Sequence, residues 1–227
     1  MGRELKNLTF EQWVKYVFDH PVKKKAWHWD INRDWWNEGA NSAQTLSYLT
    51  RLFTNSHKVL APYTHAQIKQ GLWFLVDNSC SDHMFAILDE KLPVDARKQC
   101  VEAMSFMYEL VFARQCAVHL SHLDKEKAGG NPLNMVCYMW WDIIPIHGQP
   151  DNPARIEIDK ASLNVMEKAL SLNSIACQES ALHGLGHWFF EYPRRVQQII
   201  EAFLEANLNC QSELRDYAKR AWYGNIL

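Results

Sequence analysis

Glu179, His183, His187 and Glu191 recur every fourth residue. On an α-helix that spacing aligns them on one face as a ladder. Two imidazoles at i and i+4 can share one metal ion, with carboxylates above and below to add ligands. The zinc motif His-Glu-x-x-His is not formed, because Gly184 stands where its glutamate would be. His119 and His122 form a second pair that adds ligands if the fold brings it near. The other chemistry open to the ladder is recognition, as a polar ridge that meets a partner together with Arg215 and Lys219. Gly184 and Gly186 interleave with the histidines. Each costs a helix roughly 1 kcal/mol relative to alanine, so the pair implies close approach of a backbone, a side chain or a ligand.

Two further stretches carry chemistry-bearing residues. Residues 27–36 hold Trp27, Trp29, Trp35 and Trp36 with His28, Asp30, Arg33 and Asp34. Tryptophan brings large apolar area and one donor, which suits an interface anchor or an arm folded over the end of a helical stack. Lys23, Lys24 and Lys25 lie upstream, so stacking of nucleobases is a third use, which Asp30 and Asp34 oppose. Tyr138-Met139-Trp140-Trp141-Asp142-Ile143-Ile144-Pro145 reads as a buried helix, and Asp142 then needs an Arg or His partner from another helix. No phosphate-binding glycine loop, nucleophile elbow or Cys–His catalytic signature occurs. The six cysteines are widely spaced with no Cys-x-x-Cys pair, as expected of reduced, buried thiols.

The elements that position these residues are expected to be helices. Of the 227 residues 48% are hydrophobic, enough for a sizeable core. Lys and Arg number 24 against 26 Asp and Glu, for a net charge of -2, which argues against a broad nucleic-acid footprint. Met1 to Phe10 lacks an apolar signal core, Lys6 breaks a myristoylation pattern, and no apolar run reaches membrane length, so a soluble cytoplasmic protein is expected. Helices are predicted near 9–18, 41–55, 64–77, 81–90, 94–120, 132–143, 159–171, 174–190, 193–206 and 210–224. Thr9 with Gln12 and Thr64 with Gln67 fit capping boxes. Asn131 before Pro132, Asp159 and Ser174 fit N-caps. No segment alternates like a strand, and 151–158 reads as a connector.

The C-terminal third repeats itself. Val165, Met166, Ala169 and Leu170 match Ile199, Ile200, Phe203 and Leu204 at one offset of 34 residues, which Trp188 and Trp222 share. Cys177-Gln178 and Cys210-Gln211 match with a one-residue slip. A buried stripe found twice, each time followed by a second helix ending near Trp, indicates two helix pairs, and such a period signals a solenoid. Glu179-Ser180-Ala181-Leu182-His183-Gly184-Leu185-Gly186-His187 resembles the second helix of a HEAT-like repeat, and Tyr217-Ala218-Lys219-Arg220-Ala221 resembles the same element. Tetratricopeptide repeats share the period, but Ala169, Ala181 and Pro193 meet only part of that pattern and the next copy loses it. The whole chain also resembles a bacterial family with which no activity travels.

The resemblance implies one all-α domain over 1–227. It comprises an aromatic-rich arm and helices over 1–60, a helical core over 61–150 and two helix pairs over 159–227, stacked as a short right-handed superhelix. It further implies a protein-interaction module that needs no cofactor and binds an unnamed protein partner on its concave face through Glu179, His183, His187, Glu191, Arg215 and Lys219. The alternatives are a metal-dependent enzyme using His183 and His187, and a nucleic-acid binder of HEAT-like shape.

Overall fold

A computed structural model describes residues 3–4, 7–30, 36–37, 41–123 and 130–226. Among them the one departure from an all-helical chain is a two-residue parallel pairing of Arg3–Glu4 with Trp36–Asn37. The helices are α1 (Phe10–Phe18), α2 (Ser42–Thr54), α3 (Ser56–Val59), α4 (His65–Val76), α5 (Val94–Met107), α6 (Ala113–Gln115), α7 (Pro132–Tyr138), α8 (Trp140–Ile143), α9 (Ile156–Leu170), α10 (Ile175–Trp188), α11 (Pro193–Ala206) and α12 (Ser212–Trp222). None of the described helices is long and apolar enough to cross a membrane.

Local chemistry starts four of these helices where the sequence predicts. Thr9 and Gln12, and Thr64 and Gln67, close reciprocal capping boxes on α1 and α4. Asn131 accepts the Leu133 N–H ahead of Pro132, and Ser174 accepts that of Cys177.

Four expectations are corrected. Residues 83–87 form a 3-10 turn in place of a helix over 81–90. The long helix from 94 becomes a π-helical turn over Tyr108–Phe112, which turns Tyr108, Val111 and Phe112 into the core, and the run ends at Gln115. The helix over 132–143 breaks at Met139 into α7 and α8. Finally, α9 begins at Ile156, not at Asp159. Asp159 lies fully buried, and its carboxylate accepts the Gln149 N–H at 2.6 Å and the Tyr192 hydroxyl at 2.9 Å, with Arg155 Nη2 at 3.4 Å. It pins the preceding loop instead of capping a helix.

The helices pack in two rows. In one, α2 lies on α5, α5 on α9 and α9 on α11. In the other, α1 lies on α4, α4 on α7, α7 on α10 and α10 on α12. The rows are joined where α9 meets α10 and α11 meets α12. Buried apolar side chains form one cluster from Phe10 to Ile226. Trp27 joins its rim, stacked on His20 at 3.8 Å and tilted against Phe74, while Trp29 is exposed. Arg33, Asp34 and Trp35 lie outside the described residues.

Helix α10 runs through the middle, contacting α7, α8, α9, α11 and α12, so almost all of its faces are covered. Its glycines make this possible. A Cβ at Gly184 would come to 2.6 Å from Trp141 Cγ and 2.8 Å from Met166 Sδ, and one at Gly186 would collide with Ile226. The first glycine therefore seats α8 and α9 against α10, and the second admits the C-terminal tail.

Candidate metal centre

The seating of α8 on α10 has a chemical consequence. Trp141 enters the notch at Gly184, and the next residue, Asp142, then reaches His187. Asp142 Oδ1 lies 3.2 Å from His187 Nε2. One turn back along α10, His183 Nε2 lies 3.3 Å from the same His187 nitrogen, the two rings standing edge to face at 89°. One donor atom from each of the three residues falls within 4.8 Å of the other two. Four ligands around an ion at zinc–nitrogen distance stand about 3.4 Å apart in a tetrahedron, which matches both contacts. Hydrogen bonding satisfies the trio less well. His187 Nε2 carries at most one hydrogen and faces two atoms, so one proton cannot serve both contacts. An ion held among the three atoms would take a lone pair from each.

The electrostatics keep the histidines in the ligand form. Burial drives the pKa of His183 down to about 3, and the neighbouring His187 and His122 push the same way. Burial also lowers that of His187, with Asp142 opposing and His147 adding to the shift. A neutral imidazole is the species that offers a lone pair to a metal. The side chains of His187 and Asp142 remain 32% and 35% exposed, so the cluster opens to solvent on one side.

Behind His183 stands a second layer. Its Nδ1 lies 2.6 Å from the hydroxyl of Tyr217 on α12, and that hydroxyl lies 3.3 Å from the hydroxyl of Tyr138 on α7. Burial raises the pKa of both tyrosines, so both stay phenols. The ring of His122 stacks on Tyr217 at 4.1 Å and 18°. Glu179 holds His122 in place: its fully buried carboxylate accepts the main-chain N–H of Ser121 at 2.8 Å and of His122 at 3.0 Å, and pairs with His122 Nδ1 at 2.6 Å. Three N–H partners offset the cost of burying that carboxylate.

Family models, curated proteins and solved structures all give no match to this chain.

The residues singled out from the sequence therefore part company. His183 and His187 lie side by side on α10, Nε2 to Nε2 at 3.3 Å. The partner expected for Asp142 is His187, although Asp142 is half-exposed, not buried. His122 joins the cluster, whereas His119 stands apart in the turn before it, its N–H on the Ala117 carbonyl. The ladder is not one solvent-facing ridge. Glu179 and His183 are 0% and 5% exposed because α7, α8 and α12 cover that face of α10. Glu191 is exposed but lies in the turn beyond Trp188, off the helix. Arg215 donates to the carbonyls of Asn207 and Leu208 at the end of α11, and Lys219 is exposed, 3.3 Å from Asp216. Tyr217 had no role assigned from sequence. The signal lay in the repeat itself, since Tyr217 sits 34 residues from His183.

Proposed function

We propose that this chain is a metal-dependent enzyme, with a divalent transition ion held by Asp142 Oδ1, His183 Nε2 and His187 Nε2. The observation that carries the reading is the convergence of these three atoms from two helices, all within 4.8 Å of one another and with His187 Nε2 at 3.2 and 3.3 Å from the other two. Two histidines and one carboxylate form the set used by catalytic zinc and non-haem iron(II), which leaves positions free for water or substrate. The half-exposed side of the cluster fits that use. When bound, the ion would supply Lewis acidity toward an oxygen of water or substrate. Within the chain, Asp142 supplies the charge, the buried ring of His183 sets one fixed direction, and His187 stands between them at the opening. This reading departs from the expectation of a cofactor-free interaction module.

Elemental analysis and thermal melting test it. Protein incubated with zinc, cobalt(II), iron(II) or manganese(II) and desalted should retain about one ion per chain. At 100-fold excess over Kd the ion should add about 2.7 kcal/mol, or about 5–10 °C in Tm for a chain of this size. Asp142→Asn and His187→Asn should each abolish retention while keeping the helical circular-dichroism spectrum. If none of the four ions is retained and none shifts Tm, the reading is wrong.

A second reading concerns the helical rows. We infer that they wind as a short HEAT-like right-handed superhelix that binds a protein. The row-by-row packing supports this, as does the contact between His183 and Tyr217, residues at the repeat offset that touch as equivalent points of stacked pairs do. Between the α9–α10 and α11–α12 turns lies a groove of about 550 Å³ whose lining includes Asn173, Gln178, Asn207, Asn209 and Gln211. The Nε2 of Gln178 already donates to the Leu170 and Leu172 carbonyls and the Nδ2 of Asn207 to the Phe203 carbonyl, so these two offer a partner their side-chain oxygens as acceptors. Alanine at Gln178, Asn207 and Gln211 should abolish capture of a bound protein. Undiminished capture by the triple variant would remove this surface from consideration.

A further inference from the structure

The cluster behind His183 does more than fill space. A neutral imidazole has one N–H. If His183 gives its Nε2 lone pair to an ion, Nδ1 must carry that hydrogen and needs an acceptor. His183 is only 5% exposed, and the atom that meets its Nδ1 is the Tyr217 hydroxyl, at 2.6 Å. With its lone pair engaged, Tyr217 must send its own hydrogen elsewhere. Tyr138 Oη, at 3.3 Å, stands in place to accept it, and Tyr138 is half-buried on the way to solvent. Every donor in the row then points away from the centre.

The ring that makes this contact is itself fixed. Tyr217 is 1% exposed and carries the parallel ring of His122 on its face. His122 is in turn oriented by Glu179, one helical turn before His183 on α10. The ladder residue that looked like part of a binding ridge thus works from inside. The carboxylate of Glu179 holds His122, His122 holds the Tyr217 ring, and the Tyr217 hydroxyl holds His183. Hydrogen-bonded partners of this kind orient metal ligands and fix their tautomer.

We propose that Tyr217 is a positioning residue of the metal centre: it accepts the Nδ1–H of His183, fixes the tautomer that turns Nε2 toward the ion, and is held in register by the Glu179–His122 pair. This inference rests on the metal reading above.

The test uses the full chain and Zn²⁺ or Co²⁺ alone as the probe. In zinc-loaded wild-type protein, nitrogen-15 correlation spectra should show His183 with hydrogen on Nδ1 and none on Nε2. Tyr217→Phe keeps the ring and its stacking but deletes the acceptor. It should weaken zinc binding about 10- to 100-fold and alter the visible spectrum of the cobalt-loaded form. Glu179→Gln should weaken zinc binding in the same direction. A stability control separates positioning from general loosening. Thr64→Ala removes the α4 cap at a cost of about 1 kcal/mol and should leave zinc affinity and the cobalt spectrum unchanged.

An Nε2–H tautomer in the loaded wild type, or a Tyr217→Phe protein with wild-type affinity and spectrum, overturns the role of Tyr217 while the centre stands. Equal loss of affinity in Thr64→Ala overturns it too. A wild-type chain that takes up neither ion overturns the centre and the relay together.

Discussion

A buried neutral imidazole ties stability to pH in a definite direction. His183 has its pKa lowered to about 3 in the folded chain from an ordinary 6.5, first through burial. Between those values the unfolded chain takes up a proton that the folded chain does not, so acid favours unfolding. The contribution of His183 is thus fully present above about pH 6.5 and is lost progressively as pH falls toward 3. His187 is shifted the same way and adds to the trend. Most carboxylates titrate lower, so the window from pH 7 to 5 isolates the histidines. There, Tm of the metal-free protein should fall with falling pH, and a His183→Gln variant should show a visibly shallower fall. Equal slopes for the two proteins would mean that His183 takes its proton in the folded state. Zinc affinity of the folded chain should lose nothing through His183 over the same window, because its lone pair stays free of protons until the pH nears 3.

At the scale of helices, the centre depends on how closely α8 approaches α10, and one glycine sets that approach. The neighbours that a Cβ at Gly184 would meet are the Cβ and Cγ of Trp141 and the sulfur of Met166. The Trp141 atoms lie close to its backbone and cannot swing aside, so α8 would have to move, taking Asp142 with it. Overpacking of this kind costs about 1–3 kcal/mol, against about 1 kcal/mol regained from alanine's helix propensity. Gly184→Ala should therefore lower Tm by a few degrees and weaken zinc binding more than that small loss of stability would imply. Unchanged affinity, measured by chelator competition, would show that the Asp142–His187 contact does not depend on this seating. The pair of glycines was readable in the sequence as a sign of close approach, and so were the caps at Thr9, Thr64, Asn131 and Ser174, because such signals are local. The unreadable parts were tertiary. Asp159 has the composition of an N-cap but spends its carboxylate on Gln149 and Tyr192, residues on either side of its own helix. The ladder of Glu179, His183 and His187 looks like an exposed face because polar residues at helical spacing usually form one. Here α7, α8 and α12 supply partners that no pattern within α10 could disclose.

Across the whole molecule, the centre stitches together parts that are far apart in the chain. Asp142 comes from α8, the histidines from α10, Tyr217 from α12 and His122 from the turn before the segment 124–129. The helical nature of these parts was legible from periodicity. Their meeting point was not, since it depends on which rows lie side by side. This arrangement bears on how the protein unfolds. A stack in which each pair touches only its neighbours frays from an end. Helix α10 touches its mate α9, the preceding α7 and α8 and the following α11 and α12, but the buried residues Trp13, Trp140, Trp141 and Trp188 share one apolar cluster that runs from Phe10 to Ile226. Loss of α12 would uncover that cluster and remove Tyr217 as well. Urea unfolding should therefore give coincident transitions by tryptophan fluorescence and far-ultraviolet circular dichroism, as expected of a cooperative unit. Saturating zinc should move both midpoints upward together. A helical signal that declines before the fluorescence, with zinc shifting only the later step, would mean instead that α11 and α12 unfold on their own and that the centre draws no stability from them.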